Sequence, residues 1–524
     1  MAPSEGEIAA LERLEAAAID GQMENVRHRQ MLLHHLHEVL SEEADVICEA
    51  IRSANNSREK IKGTSETEYY LAMEAVRHFY GTLDFDRELE DEYRVANGKN
   101  NEGRRVGFGM VVIRPTRHTR FYSVVVPLAA AISAGNCVVL EIPEGNDSKV
   151  DSILRSTLTK ALDYNTFCIV SSVKTLDNSI LDSALLVDQT GETESETITR
   201  NHLVSSPNAR VVAVVDRTAN IEKAAEEITR ARFRFNGTSP YAPDLVLVNE
   251  FVKDKFIEAC DRYASMLKEI HWESKYEKDS LSTKMDESEV LSQILENSVT
   301  DFGLLNIQDK NSPVMKMKIY GRCLCIATCT GLVDAAFTPD QETPLLAGYF
   351  FAELRAAKYL SQHMPCHMAC INQIPVQLLL GPAAPTSAIS HHSAEDFLYR
   401  YNKNMFSQPR PQHIESLPET HQLADRVLTT HTTALLNGVD TRGEIVTLTV
   451  NGKDRRLMDV GVTHRDRDIN TMRARATMPL KPTGQPRNGE LGFFESGFLL
   501  GVGIAVLPVL GLMSYIIGRR MLRG

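Results

Sequence analysis

The chain has 524 residues, 43% hydrophobic and 24% charged, with a net charge of −12 at pH 7. This is ordinary globular composition with material for two or three cores. The absence of any Lys/Arg-dense block before the last six residues argues against a nucleic-acid partner.

From Ile8 to about Phe79, apolar residues recur at spacings of three and four between charges, which predicts helices, with Ser41-Glu42-Glu43 as an N-cap and acidic first turn. His28, His34, His35 and His37 crowd this stretch, yet they scatter around the helix, so a solvated face is a better reading than a metal site. Val106 to Pro115 reads as a strand entering a turn and Phe121 to Ser133 as an apolar helix. Ala134-Gly135-Asn136 is then a tight turn into a buried strand through Leu140. That is a parallel βαβ unit, and its repetition predicts a doubly wound α/β sheet. Leu185-Leu186-Val187 is a further short strand. Val211 to Asp216 is another, followed by a helix from Ile221 and by the segment Phe235 to Asp244, which enters the apolar run Leu245 to Val248.

Cys323, Cys325 and Cys329 alternate with apolar residues in a strand, and His363, Cys366, His367 and Cys370 lie close together further on. Neither set has the paired C-x-x-C of a zinc ribbon, so packed thiols are the preferred reading and no metal is expected. The nine cysteines are an odd number, behind a polar N-terminus with no signal peptide, which predicts reduced thiols facing the cytosol. Thr343 to Phe350 is a strand with a helix at Leu354 to Leu360, and Glu444 to Lys453 predicts a hairpin with an Asn-Gly turn. Residues 465–487 are polar and Pro-bearing, as in a linker. Gly497 to Gly518 is 22 residues without a charge, interrupted by Pro508 and followed by Arg519 and Arg520. At ~1.5 Å per residue it is long enough to span a hydrocarbon core of ~30 Å. The expectation is a single-pass C-terminal anchor in a lipid bilayer with the main body cytosolic. Endoplasmic reticulum, peroxisome and mitochondrial outer membrane are all compatible with it.

Asn236, Gly237 and Ala242-Pro243-Asp244 resemble the N-x-G-Q-x-C-x-A-P-D segment of the aldehyde dehydrogenase superfamily. Pro115, Pro127-Leu128, Ala134-Gly135-Asn136 and Val138-Val139-Leu140 resemble its S-P-W-N and A-G-N-x-V-V-L-K segments. Pro313-Val314-Met315, Pro344-Leu345 and Phe406-Ser407 continue the series, so the likeness runs from about Arg27 to Pro411. In layout it is similar to the C-terminally anchored fatty aldehyde dehydrogenases. The resemblance implies an α/β fold of two doubly wound, Rossmann-like domains and a homodimer. The organisation it suggests is N-terminal helices with a degenerate NAD(P)-binding-like domain over 1–232, a catalytic-like domain over 233–411, an extension and linker over 412–490 and the transmembrane anchor over 497–518.

The letters that the resemblance assigns to chemistry differ. The nucleophilic thiol falls on Pro240, the general base on Ser206 and the oxyanion amide on Arg117. The two ribose contacts fall on Glu141 and Lys318, and the phosphate-facing F-T-G-S on Asp188 to Gly191. Glu144 alone of its local quartet is kept. Proline cannot form a thiohemiacetal, a serine hydroxyl is no base at neutral pH, and a carboxylate repels a diphosphate. The resulting expectation is a membrane-anchored pseudoenzyme that binds or scaffolds a protein partner and carries no cofactor. The alternative is an NAD- or NADP-dependent oxidoreductase acting on a hydrophobic or long-chain aldehyde. A third reading has Arg117, Lys318, Thr238 and Ser239 binding an anion in the old cleft.

Overall fold

The computed structural model describes residues 5–54, 64–101, 103–144, 148–192, 201–271, 303–339, 343–385 and 400–411, with short stretches at 448–450, 453–455 and 471. The chain divides into two compact units, Met1–His413 and Ile414–Gly524.

The first unit opens with helices Glu5–Ile19, Val26–Glu42, Ala44–Ala54, Thr64–Gly81 and Phe85–Ala96. Ser41-Glu42-Glu43 does not start a helix as expected. Ser41 is in the last turn of Val26–Glu42, where its hydroxyl donates to the His37 carbonyl at 2.7 Å, and the next helix begins at Ala44. A serine three or four residues past a carbonyl can close a turn as readily as open one. His34 and His35 are exposed and His28 and His37 half-buried.

The expected strand from Val106 to Pro115 is two. β1 (Arg105–Gly107) pairs antiparallel with Ser407–Pro409 near the end of the unit, while β2 (Met110–Arg114) enters a parallel sheet. Gly109 makes the break with a φ of +94°, a conformation natural only to glycine. Its N–H donates to Asn136 Oδ1 at 3.1 Å, and Asn136 Nδ2 donates to the carbonyls of Ala131 (3.0 Å) and Phe406 (2.9 Å). The Ala-Gly-Asn turn is thus a structural staple.

β2 is the centre of a five-stranded parallel sheet with β3 (Cys137–Glu141), β4 (Phe167–Val170), β5 (Leu185–Asp188) and β6 (Asn201–Val204), in the order β4-β3-β2-β5-β6. The second sheet is also parallel and six-stranded. It contains β7 (Val211–Val215), β8 (Leu245–Asn249), β9 (Gly303–Ile307), β10 (Cys323–Cys329), β11 (Leu345–Phe351) and β12 (Cys366–Ile371), in the order β12-β11-β7-β8-β10-β9. β13 is the Ser407–Pro409 strand. Strands buried on both faces read as continuous Val/Leu/Ile runs, which is why they were legible. The second sheet starts earlier than a boundary at 232 would place it, because the Val-rich run Val211–Val215 pairs with both β8 and β11. Outside this unit, β14 (Leu448–Val450) and β15 (Lys453–Arg455) form the expected hairpin, with Val450 opposite Lys453.

All nine cysteines are free. Among the described residues no group of His, Cys, Asp and Glu could hold a metal, and no helix is long and apolar enough to cross a membrane. Gly497, Pro508, Gly518 and the rest of the expected span lie outside the described residues, as does the 465–487 linker apart from Thr471.

One buried carboxyl in this scaffold has a testable pH signature. Glu68, on Thr64–Gly81, accepts the N–H groups of Phe121 (3.1 Å) and Tyr122 (3.3 Å) at the start of helix Arg120–Ser133. Burial pushes its pKa up to about 7 against the opposing pull of those N–H groups. Between the ordinary carboxyl value and about 7 the folded chain holds a proton that the unfolded chain has released, so this contribution to stability is lost as pH rises through that window. Glu68→Gln, which keeps an acceptor and removes the charge, is expected to match the parent near pH 5 and to exceed it by roughly 3 kcal/mol at pH 8. Urea unfolding at the two pH values checks this.

Candidate functional site

Helix Ile221–Phe233 delivers the chain to the edge of β8 through a one-turn 3-10 segment, Arg234–Gly237. Phe235, Asn236 and Gly237 are all left-handed there, with φ of 51°, 55° and 68°. After this turn Thr238 is exposed and Ser239 and Pro240 are buried. Pro240, the position implied for the nucleophile, offers only a carbonyl, which accepts from Lys318 Nζ at 2.6 Å.

The frame around it is held by Asp244. Its carboxylate accepts the N–H groups of Val211 (2.8 Å) and Ile319 (3.1 Å) and pairs with Lys318 Nζ (3.0 Å) and Arg232 Nη1 (3.5 Å). Arg232, fully buried, also donates to the carbonyls of Ile319, Gly321, Gly237 and Pro243. A Cβ on Gly237 would lie 1.9 Å from the Gly321 carbonyl oxygen. Burial lowers the pKa of both Lys318 and Arg232, and Asp244 opposes that in each case. Lys318 is therefore turned inward. Two carbonyls, Pro240 and Ala209 (3.1 Å), and one carboxylate occupy its ammonium. This corrects the reading in which it meets a ribose or an anion.

A doubly wound sheet binds its ligand beyond the C-terminal strand ends, where the strand order reverses. In the first sheet that place is the gap between β2 and β5. Arg114 ends β2, Glu141 ends β3 and Asp188 ends β5. Arg114 Nε is 3.2 Å from Glu141, and its terminal nitrogens are 3.7 Å from Asp188 and 3.1 Å from Glu192. Glu141 also accepts the Val173 N–H at 3.1 Å. One guanidinium among three carboxylates does not suit a dinucleotide diphosphate, whose charge this set would repel. Gly191, at φ +67°, is placed so that a Cβ would meet Pro207 at 2.8 Å, which uses the glycine for loop packing. Glu144 is exposed, and residues 193–200, where a phosphate-facing helix would begin, lie outside the described residues.

Between these two edges runs a segment for which the sequence carries no chemical letter. Leu378 to Ala383 are buried, and their backbone is clamped from every side. Ser239 Oγ donates to the Leu379 carbonyl (2.8 Å), Ser205 Oγ to that of Ala383 (2.7 Å) and Arg400 Nη2 to that of Leu378 (2.7 Å). The Gly381 N–H donates to Thr119 Oγ1 at 2.8 Å. His118 reaches the same segment. Its Nε2 is 2.9 Å from the Leu379 carbonyl and its Nδ1 3.0 Å from Thr238 Oγ1. Burial holds the His118 pKa down to about 4, with the Leu379 carbonyl acting the other way. Ser206, in the general-base position, is half-buried and Arg117 exposed. Ser239 is occupied by Leu379, and Thr238 Oγ1 donates to the Phe235 carbonyl at 2.6 Å, so neither points a free donor at an anion. Cys260 does not replace the missing thiol. It is fully buried in the second sheet's core, where burial pushes its pKa up to about 12.

A model described as the aldehyde dehydrogenase family matches residues 9–298. A 4,4'-diaponeurosporen-aldehyde dehydrogenase of Staphylococcus aureus is 25% identical over 277 residues, covering 47% of this chain and 58% of that protein. Aldehyde dehydrogenase family 3 member B1 of Rattus norvegicus is 23% identical over 373 residues, 66% of this chain and 77% of its own length. Among solved structures, the substrate-bound AldH of Staphylococcus aureus aligns with a TM-score of 0.55 at 18% identity, over 76% of this chain and 92% of that one. The NADP-dependent glyceraldehyde-3-phosphate dehydrogenase from Bacillus halodurans, complexed with NADP, aligns at TM-score 0.55 and 17% identity, over 71% and 84%. These structural likenesses establish the two-sheet fold, and the family model covers more than half of the sequence. The chain belongs to the aldehyde dehydrogenase family.

Proposed function

We propose that this member of the family is a pseudoenzyme, a binding or scaffold protein held at a membrane by residues 497–518, with its body in the cytosol and a protein partner or second copy as its ligand. The observation that carries the reading is a division of labour. Gly237, Asp244 and Asn136, which keep the family letters, each make structural contacts here, whereas the positions assigned to cofactor and thiol are spent on internal contacts at Lys318, Glu141 and Pro240. Catalytic groups act as a unit, so losing the nucleophile together with its base and oxyanion donor leaves little for the remainder to do.

The test is an assay of the full chain in detergent with NAD or NADP and aldehydes of increasing chain length. The reading expects no nucleotide reduction above the buffer rate, and reduction at a rate typical of dehydrogenases contradicts it. Alkaline extraction of membranes from cells expressing an N-terminally tagged chain tests the anchor. Retention in the pellet that is lost on truncation after residue 490 is the expected result.

A second reading, an NAD(P)-dependent oxidoreductase acting on a hydrophobic aldehyde, draws on family membership and on the relative whose name specifies a diaponeurosporen aldehyde. It requires some other residue to supply the nucleophile, and the same assay decides between the two.

A further inference from the structure

Helix Phe85–Ala96 has 12 residues and buries none of them. A helix of that length is marginal in water on its own, and most surface helices are held by an apolar face laid on a core. This one is held near its start. The Asp84 carboxylate caps it by accepting the Arg87 N–H at 3.1 Å. Arg27 sets its guanidinium 3.9 Å from the centre of the Phe85 ring, and Glu88 pairs with the buried Arg29 at 2.9 Å. Phe85, Glu88 and Asp91 are the half-buried inner side, and two of those three are acidic.

The apolar strip is elsewhere. Leu89 and Tyr93, one turn apart, are 37% and 62% exposed. Asp86, Glu90 and Glu92 are exposed as well, and each is three positions from one of the two, so they flank the strip. Among the described residues the ion pairs of this helix are Glu88 with Arg29 and Lys403, and Asp91 with Arg94. The three flanking carboxylates are left to solvent. The body thus grips an amphipathic helix by its polar side and turns a leucine–tyrosine strip, framed by negative charge, outward. That frame selects what can cover the strip. Nucleic acid and anionic lipid surfaces are repelled by it, whereas an apolar surface rimmed with Lys and Arg is attracted.

We propose that helix Phe85–Ala96 is the docking surface for a partner protein that presents a basic amphipathic helix. Apolar side chains of the partner cover Leu89 and Tyr93, and its Lys or Arg side chains meet Asp86, Glu90 and Glu92. The proposal deepens the binding-protein reading given above and rests on it for the existence of a partner. No residue of this helix takes part in the cleft contacts, so docking and nucleotide chemistry are tested separately.

The probe is a synthetic amphipathic peptide of leucine and lysine, added to the full chain in nonionic detergent, with a serine–lysine peptide of equal charge as control. Hydrogen exchange read by mass spectrometry locates the contact, and fluorescence anisotropy gives the affinity. Expected are slowed exchange at residues 85–96 and binding about 10-fold weaker or worse in the double variant Leu89→Ser with Tyr93→Ser. Neutralising the frame with Asp86→Asn, Glu90→Gln and Glu92→Gln should remove most of the salt dependence. All these side chains are exposed, and melting curves establish that the variants are folded. Protection mapped to another part of the parent chain, equal binding of the serine–lysine peptide, or unchanged affinity in the folded Leu89 and Tyr93 variant overturns the proposal. So does protection of the helix in vesicles of phosphatidylcholine and phosphatidylserine without peptide, which assigns it to a bilayer. A chain that reduces NAD with an aldehyde yet docks the peptide here loses the pseudoenzyme reading and keeps this surface. One that does neither loses only the surface.

Discussion

Asp244→Ala is expected to cost the Met1–His413 unit roughly 3–5 kcal/mol, the range for breaking a buried ion pair by removing one partner. Asp244 is 1% exposed, and its carboxylate is shared by two backbone N–H groups and two cations. Its removal leaves Arg232 and Lys318 facing each other in a buried space, with the Val211 and Ile319 N–H groups unpaired. Because Asp244 is what opposes the burial-driven fall in both cations' pKa values, Lys318 should then release its proton. The pair Asp244→Asn with Lys318→Met, which removes charge from both sides, should recover much of the loss. Urea unfolding followed by circular dichroism reads both variants, and an Asp244→Ala chain as stable as the parent would show that this network does not hold the fold.

The second large effect is expected at Gly237. Alanine there must adopt φ +68° and place its Cβ 1.9 Å from the Gly321 carbonyl oxygen and 2.4 Å from its carbon. The obstacle is backbone, so the strand entrance must move, and with it the Gly321 carbonyl that Arg232 holds at 2.7 and 3.0 Å. A loss on the order of 4 kcal/mol, or failure to fold, is expected. Gly331→Ala is the control, since nothing lies within 4 Å of its Cβ position and its backbone is extended. Because Gly331 caps helix Leu332–Phe337, where alanine is the poorer cap, it should cost no more than about 1 kcal/mol.

These two residues show what the sequence could and could not convey. Gly237 and Asp244 were legible as part of a motif, but their pattern is usually read as a setting for a thiol. The contacts show that the motif also works as a joint between helix Ile221–Phe233, β7 and the strand entrance at Ile319, which explains its persistence beside Pro240. The β-strands were legible because burial on both faces writes a long apolar run. Lys318 was not, since a lysine at a cofactor position says nothing about which way it turns. That choice is made by Asp244, 74 positions earlier in the chain. The Arg114 cluster was half visible, as misplaced carboxylates at Glu141 and Asp188. Its cation sits at the end of β2, where a strand residue carries no motif. His118 and the Leu378–Ala383 segment were invisible. The histidine bonds to a backbone carbonyl 261 positions away, and a carbonyl has no letter of its own. Ser41 was misread because its hydroxyl bonds backward instead of forward.

We propose that the family scaffold survives here without its nucleotide chemistry, and isothermal titration of the full chain in detergent with NAD and with NADP tests this. The expected result is no heat of binding at millimolar nucleotide, with Glu141→Lys restoring weak binding by removing one carboxylate from the edge of the first sheet and adding a cation. Micromolar binding of either nucleotide by the parent chain would contradict it.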